Sequence, residues 1–230
     1  MKRLSFIFFA VILLTASHPW QGKRIAYLGD SITDPGVLRE DTHYWAYLQE
    51  WLDAETYVYG ISGHQWTQLL GQAARLKQDH GDDVDAIVIF LGTNDYNAGV
   101  PIGEWFTETV EKTVANGKEV ERKKRTPVFD NSTFSDRNIQ PSEEYCNSCG
   151  EYLDAYVESL KEASNIWAVP VIDTHALSGI MPSMHEHSIY VPGGNDYLHP
   201  NQAGHHRLAL CLYSQLSAIP CCLEEGGVRN

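Results

Sequence analysis

The sequence is poor in positive charge. It contains 17 lysines and arginines against 30 aspartates and glutamates, which gives a formal net charge of −13 at pH 7. Nucleic acids and anionic membrane surfaces attract basic proteins, because their phosphates are neutralised by lysine and arginine. The acidic balance therefore argues against nucleic acid and against a membrane surface as partners. A neutral substrate fits this charge better.

Cysteine is scarce and unevenly placed. The chain has five cysteines, and none precedes Cys146. Cys146-Asn-Ser-Cys149 has the CxxC spacing, but a redox or zinc site also needs a second pair or a thioredoxin-like context. His185-Glu-His187 and His205-His206 are spaced so that neighbouring rings leave opposite sides of the backbone. We therefore expect inert or disulfide-forming thiols, histidines that lie at the surface or touch substrate, and no metal site.

Long apolar runs are absent outside the N-terminal segment, whereas a membrane-spanning helix needs about 20 apolar residues. At the N-terminus, Lys2 and Arg3 precede the apolar residues 4–14, and the small residues 15–17 follow. This order is typical of a secretory signal peptide. We expect residues 1–17 to be removed, residues 18–230 to form a single domain, and the mature protein to be secreted or periplasmic.

Short apolar runs alternate with segments of helical periodicity. Strands are predicted at Ile25–Leu28, Thr56–Gly60, Asp85–Leu91 and Ile166–Ile172. Continuous apolar strands of this kind suit a parallel sheet that helices cover on both faces. The predicted inward residues of the four helices are Tyr44, Leu48, Trp51 and Leu52; Trp66, Leu69, Leu70, Ala73 and Leu76; Leu153, Tyr156, Val157 and Leu160; and Ala203, Leu208, Leu212 and Leu216. The predicted helix caps are Asp41 or Thr42, Ser142 and Asn201.

The segment between the third and fourth predicted strands follows a different pattern. Asn116-Gly117 separates two β-rich arms, Thr107–Ala115 and Lys118–Arg125. Asn-Gly between such arms is a strong signal for a β-hairpin. No convincing parallel strand lies between Asn97 and Ile166. We expect residues 98–141 to be a variable insertion that forms a wall or lid beside the functional site.

Residue types suited to acyl transfer follow the predicted strands. Such a site needs a hydroxyl nucleophile, a histidine base, a carboxylate that orients the histidine, and donors for the oxyanion. The sequence offers them in four blocks, namely Gly29-Asp30-Ser31, Gly63, Gly92-Thr-Asn94-Asp95 and Asp196-x-x-His199. In open α/β sheets the carboxyl ends of the strands form one binding edge, so these blocks are expected to meet there.

The four blocks, in this order, resemble those of the GDSL/SGNH hydrolases. The resemblance implies a flavodoxin-like three-layer α/β/α sandwich with a short parallel sheet. It implies that Ser31 is the nucleophile, His199 the base and Asp196 the residue that orients His199. The implied oxyanion donors are the backbone N–H groups of Ser31 and Gly63 and the side-chain amide of Asn94. No metal or other cofactor is implied, and Asp30 and Asp95 are expected to have structural roles.

The expected function is that of a secreted serine esterase that hydrolyses small acyl esters, with O-acetyl groups on carbohydrate as the preferred substrate. A lipase or thioesterase of the same family and a degenerate, non-catalytic glycan-binding protein are the alternatives. The family's sheet has five strands, whereas the sequence offers four. Either the hairpin region replaces one βα unit, or that unit is missing and the sheet closes up by one position.

Overall fold

The computed structural model describes residues 18–37, 43–102, 105–115, 118–127, 146–180, 190 and 198–219. Its strands and α-helices in chain order are β1 (Arg24–Gly29), α1 (Tyr44–Leu52), β2 (Glu55–Val58), α2 (Leu69–His80), β3 (Ala86–Phe90), α3 (Thr93–Ala98), β4 (Trp105–Ala115), β5 (Lys118–Pro127), α4 (Leu153–Trp167), α5 (Thr174–Leu177) and α6 (Gln202–Leu216). A short 3-10 helix, Trp66–Gln68, directly precedes α2, so the predicted inward residue Trp66 lies outside that helix. The predicted signal segment 1–17 and the predicted caps Asp41, Thr42 and Ser142 lie outside the described residues.

The described part of the chain contains a parallel three-stranded sheet in the order β2-β1-β3. In its register, Tyr27 of β1 lies opposite Val58 of β2 and Val88 of β3. The central strand β1 is buried along almost its whole length, as expected for a strand covered on both faces. The first three predicted strands and the α/β fold class are confirmed.

The fourth predicted strand, Ile166–Ile172, is wrong. Ile166 and Trp167 are instead the last two residues of α4. Ala168 caps that helix in the left-handed conformation (φ 54°), and the N–H groups of Ala168 and Val169 both donate to the Ser164 carbonyl. The apolar run therefore continues a helix and then turns, because a short apolar run has no period that separates a strand from a buried helix end. Within the described residues the parallel sheet has three strands, fewer than the four predicted.

Alternate residues of β1 pack into two separate cores, one on each face of the sheet. Ile25 and Tyr27 join the larger core, which α1 and α6 cover. Ala26 and Leu28 join the smaller core, which contains Leu76 of α2. Side chains of successive strand residues point to opposite faces, so β1 accounts for both cores. The result is helices on both sides of a short parallel sheet.

The predicted faces of α1 and α6 are largely confirmed. Tyr44, Leu48 and Leu52 of α1 are buried, and Leu208, Leu212 and Leu216 of α6 are buried against the same core. The predicted cap Asn201 is also confirmed, since its Oδ1 accepts the N–H of Gly204 at 3.0 Å. Two details differ: His43 is the N-cap of α1 and makes no side-chain cap bond, and Ala203 is exposed.

The predicted face of α2 is partly wrong. Leu69, Ala73 and Leu76 pack against the smaller core, but 79% of Leu70 is exposed. Helix geometry explains the difference, because residues three and four positions after Leu69 share its face, which places Gln72 inside instead of Leu70. Gln72 is only 2% exposed. The inner face of this helix therefore contains the amide of Gln72, a residue that the prediction did not place inside.

The predicted hairpin is confirmed. Strands β4 and β5 are antiparallel, with Ala115 opposite Lys118, and the connecting residues 116–117 lie outside the described residues. The register shifts between Thr109 and Glu111, which marks a β-bulge or a similar irregularity. The position of this hairpin as a wall or lid stays a prediction.

Cys146, Cys149 and Cys211 are free thiols. Among the residues that the structure describes, no helix is both long and apolar enough to cross a membrane.

The helix α4 begins at Leu153, and its predicted inner residues are half-buried rather than buried.

Candidate active site

Ser31 lies in a tight turn at the carboxyl end of β1. The carbonyl of Asp30 accepts the N–H groups of Thr33 and Asp34, at 3.0 and 2.9 Å. The Asp30 carboxylate also accepts the N–H of Ile32 at 3.0 Å. These bonds curl the chain directly after the strand, so that Ser31 is held by backbone rather than by a mobile loop. Ser31 is 6% exposed.

The turn depends on close approach of the backbone at Gly29. A side chain at this position would collide with the Thr33 side chain and would place its Cβ 2.8 Å from the Phe90 carbonyl oxygen of β3. Glycine is therefore required here for space. The close approach lets the end of β1 lie directly against the end of β3, from which the Asn94 block follows.

His199 reaches Ser31 from the segment just before α6. Its Nε2 lies 2.7 Å from the Oγ of Ser31, although the two residues are 168 positions apart. The cap bond of Asn201 fixes the start of α6 two residues after His199. A short sheet thus still brings the predicted base to the predicted nucleophile. Asp196 lies outside the described residues, so its role as the orienting carboxylate stays a prediction.

The glycine and asparagine blocks contact each other beside the serine turn. Gly63 has a positive φ of 79°, a conformation that favours glycine. The Asn94 side chain donates from Nδ2 to the carbonyl of His64 at 2.9 Å, which leaves its second N–H for another acceptor. The N–H of Ser62 donates to the Asp34 carboxylate at 2.8 Å and so ties this loop to the serine turn.

Two buried carboxyl groups lie behind these blocks. Burial raises the pKa of Asp30 to about 6, although the N–H of Ile32 and the charge of His199 oppose the rise. Burial also raises the pKa of Asp95 to about 6, opposed by the backbone N–H of Trp66, and the negative charge of Asp30 adds to the rise. Asp95 accepts the Trp66 N–H at 3.3 Å from each oxygen. Their bonds to backbone N–H groups agree with the structural roles expected for both.

The sequence interpretation missed Gln72. Its side-chain amide bonds to both backbone groups of Gly29 and to the ring of His64. The signal that could have found it is its spacing from Leu69 and Leu76, which puts a polar residue on the inner face of α2. A buried amide among apolar residues needs hydrogen-bond partners, and those partners belong to the site.

The two adjacent histidines of α6 face opposite ways, as expected, but the expected place at the surface or against substrate is wrong for His205, which is buried. His205 is 1% exposed and accepts the N–H of Tyr44 at its Nδ1 at 3.2 Å, whereas His206 is exposed and lies against Tyr47 and Trp51. Burial, with smaller effects from the charges of His43 and His199, lowers the pKa of His205 to about 3. The other histidine pair, His185 and His187, lies outside the described residues.

Several solved structures share this fold. A crystal structure from Lactobacillus plantarum has 22% identity and a TM-score of 0.59, over 86% of this chain and 98% of that one. A member of the lipolytic G-D-S-L family from Veillonella parvula has 13% identity and a TM-score of 0.57, over 86% and 100%. The acetyl xylan esterase AlAXEase has 16% identity and a TM-score of 0.51, over 84% and 99%. At these identities the likeness establishes the fold.

The sequence itself establishes the family. No curated protein matches the chain. Residues 27–207, however, match the profile of the GDSL-like lipase/acylhydrolase family, and this span runs from β1 into α6. It includes the Ser31 turn, the Gly63 and Asn94 blocks, and His199. The chain belongs to the GDSL-like lipase/acylhydrolase family, whose members are carboxylic ester hydrolases.

Proposed function

We propose that the protein is a serine esterase that hydrolyses small acyl esters through an acyl-enzyme intermediate, with O-acetyl groups on carbohydrate as its preferred substrates. The observation that carries this proposal is the 2.7 Å separation between Ser31 Oγ and His199 Nε2. A hydroxyl within hydrogen-bond distance of an imidazole nitrogen can lose its proton to that nitrogen as it attacks a carbonyl carbon.

The proposed reaction has two halves. In the first, Ser31 Oγ bonds to the acyl carbon while its proton moves to His199 Nε2, and the tetrahedral intermediate then expels the alcohol, which takes that proton from His199. In the second, a water molecule gives a proton to His199 and attacks the acyl-Ser31 ester. Collapse releases the carboxylic acid and returns the proton to Ser31 Oγ. His199 ends each half neutral, so no further reactant is needed.

Negative charge develops on the carbonyl oxygen in both halves. The proposed donors to it are the backbone N–H groups of Ser31 and Gly63 and the free N–H of the Asn94 amide. The contact between Asn94 and the His64 carbonyl supports this assignment, because it fixes the amide beside the Gly63 turn. Asp196, three residues before His199, would hold the imidazole ring and stabilise its charged form.

Two observations and one prediction from the sequence favour small esters on carbohydrate. The chain is strongly acidic, which disfavours binding to anionic lipid surfaces. One structural neighbour is named an acetyl xylan esterase and another, with a TM-score of 0.50, an acetyl-xylooligosaccharide esterase. The predicted signal segment 1–17 would deliver the enzyme to extracellular polysaccharide.

Export is tested by mass spectrometry of the protein that an expression host secretes. The secreted protein should lack residues 1–17.

The insertion at residues 98–141 is proposed to shape the substrate cleft. It follows Asn94 and Asp95 directly in the chain, and it contains the β4–β5 hairpin. Replacement of the hairpin by a short Gly-Ser linker should raise KM for an acetylated oligosaccharide and leave kcat/KM for p-nitrophenyl acetate within about threefold. Equal effects on both substrates would contradict a role in substrate binding.

A chain-length series tests the proposed function. The purified protein is assayed on p-nitrophenyl esters from acetate to palmitate and on acetylated xylooligosaccharide, with Ser31→Ala as the inactive variant. Ser214→Ala on the exposed face of α6 is the matched control and should retain full activity. We expect acetate to be the best p-nitrophenyl ester. A preference for long chains would identify a lipase or thioesterase, and no Ser31-dependent turnover at all would leave a non-catalytic glycan-binding protein.

A further inference from the structure

Gln72 connects two parts of the site from the inner face of α2. Its Oε1 accepts the N–H of Gly29 at 2.9 Å, and its Nε2 donates to the carbonyl of Gly29 at 2.8 Å. The same Nε2 lies 2.8 Å from Nδ1 of His64. Gln72 is almost fully buried, and both N–H groups of its amide and its oxygen have hydrogen-bond partners. Loss of one of these hydrogen bonds would destabilise the site, because the polar group left without a partner is buried and cannot bond to water instead.

The orientation of this amide is determined by Gly29. If its oxygen and nitrogen were exchanged, the NH2 group would face the N–H of Gly29 and the oxygen would face the carbonyl of Gly29. Both contacts would be repulsive, so the amide has only one acceptable orientation. The remaining N–H therefore points at Nδ1 of His64. Since an amide nitrogen can only donate, Nδ1 of His64 must accept, and the ring proton must lie on Nε2.

His64 passes this connection on to the third block. Its backbone carbonyl accepts the Asn94 amide at 2.9 Å, and Gly63 is its immediate neighbour. The hydrogen bonds thus run from Gly29 through Gln72 and His64 to Asn94. They join the backbone that carries the nucleophile to both of the other proposed oxyanion donors. The Gly29 carbonyl also accepts the N–H of Ile61 at 3.0 Å, so the Gly63 loop is held at both ends.

We propose that Gln72 is a positioning residue of the active site: it holds the Gly29–Ser31 turn against the Gly63–His64 turn and fixes His64 in the tautomer with its proton on Nε2. The proposal rests on the proposed esterase function for its catalytic consequence. Gln72 itself touches no substrate atom in this account. It acts by keeping the oxyanion donors at their distance from Ser31, where a displacement of about 1 Å can cost on the order of 10²-fold in rate.

The tautomer of His64 tests the hydrogen-bond network without any activity. Two-bond ¹H–¹⁵N spectra are recorded on the full chain with ¹⁵N-labelled histidine at about pH 8, with His64→Asn used to assign the ring signals. We expect His64 to show a protonated Nε2 and an unprotonated Nδ1. In Gln72→Glu the carboxylate can only accept, so the His64 proton should move to Nδ1. A wild-type His64 with its proton on Nδ1 would overturn the network, whether or not the variants fold.

The kinetic arm separates positioning from general stability. Gln72→Met keeps the length of the side chain and removes its hydrogen bonds, and Gln78→Met on the exposed face of the same helix is the matched control. For p-nitrophenyl acetate we expect kcat of Gln72→Met to fall about 10²-fold with KM within about threefold, and Gln78→Met to match the wild type. Circular dichroism verifies that both variants are folded under the assay conditions.

The outcomes distinguish the two proposals. A folded Gln72→Met with wild-type kcat would overturn the positioning role while the esterase function stands. A wild-type protein without Ser31-dependent turnover would overturn the proposed function and, with it, the catalytic consequence of Gln72. In that case the His64 spectrum still supports or overturns the network itself.

Discussion

Acid should destabilise this protein through one buried histidine. His205 is 1% exposed, and its ring lies 5.2 Å from that of His43 and 6.2 Å from that of Tyr44. Burial lowers its pKa from 6.5 to about 3. In the unfolded chain the ring takes up a proton below about pH 6.5, whereas the folded chain excludes that proton until about pH 3. Well above pH 6.5, His205 is neutral in both states and has no effect on the free energy of unfolding. The free energy of unfolding then falls as the pH falls from about 6.5 to about 3.

The size of the effect follows from the two pKa values. Between pH 7 and pH 5, linkage with pKa values of 6.5 unfolded and about 3 folded lowers the free energy of unfolding by about 2 kcal/mol. Asp30 and Asp95, whose pKa values are raised to about 6, act in the opposite direction over the same range. Their contributions are common to the wild type and to variants of His205, so they cancel in a comparison.

Urea unfolding at pH 7 and at pH 5 tests this prediction by measuring the free energy of unfolding of the wild type and of two variants. His205→Gln cannot take up a proton, so its free energy of unfolding should fall by about 2 kcal/mol less than that of the wild type between the two pH values. His206→Gln is the matched control on the exposed side of the same helix, and it should retain the wild-type pH dependence. An equal loss in His205→Gln and in the wild type would show that protonation of His205 does not cause the loss of stability.

Three further predictions concern the serine turn and its surroundings. Asn94→Ala should lower kcat for p-nitrophenyl acetate by about 10²–10³-fold because it removes one oxyanion donor, and a change below tenfold would exclude that role. Asp30→Asn should raise the free energy of unfolding at about pH 8 by up to about 3 kcal/mol. The pKa of Asp30 is raised to about 6 in the folded protein, so its stabilising contribution is complete below about pH 4 and is lost as the pH rises through about 6. Asparagine resembles the protonated carboxyl group and avoids this loss. Urea curves that show this gain undiminished at about pH 4 would contradict that sign. Gly29→Ala should destabilise the fold by about 1–3 kcal/mol through its collision with Thr33 and the Phe90 carbonyl, and an unchanged urea midpoint would contradict the close packing.

The sequence predicted the fold best where periodicity and length agreed. The run Ile25–Leu28 has only one plausible state, since it is short, wholly apolar and followed by Gly29, and it is the central strand. Ile166–Ile172 is likewise wholly apolar, but it follows a helical pattern without a break. The first two residues of this run belong to the final turn of α4, and Ala168 then ends the helix in a left-handed cap. Composition alone does not decide between these two outcomes.

The sequence predicted the residues of the proposed catalytic pair, but not the hydrogen bonds that join the blocks of the site. The order of the blocks pointed to Ser31 and His199, and the structure brings these two side chains to 2.7 Å. Gln72 was missed although its spacing from Leu69 and Leu76 puts it on the inner face of α2, because a glutamine in a helix is usually at the surface. Its role depends on where the end of β1 lies relative to α2, and this is a tertiary contact that local pattern does not contain. The assignment of Leu70 to the inner face failed for a local reason instead, because Gln72 lies three residues after Leu69 and takes the inner position, which leaves Leu70 exposed.

Active-site labelling identifies the nucleophile of the proposed esterase, which we expect to be Ser31. A fluorophosphonate reacts with an activated serine, forms a bond from its phosphorus to Oγ and releases fluoride. We predict one added phosphonyl group per chain, located on Ser31 by peptide mass spectrometry, in parallel with the loss of ester hydrolysis. Labelling at another residue, or full inhibition with Ser31 unmodified, would show that Ser31 is not the nucleophile.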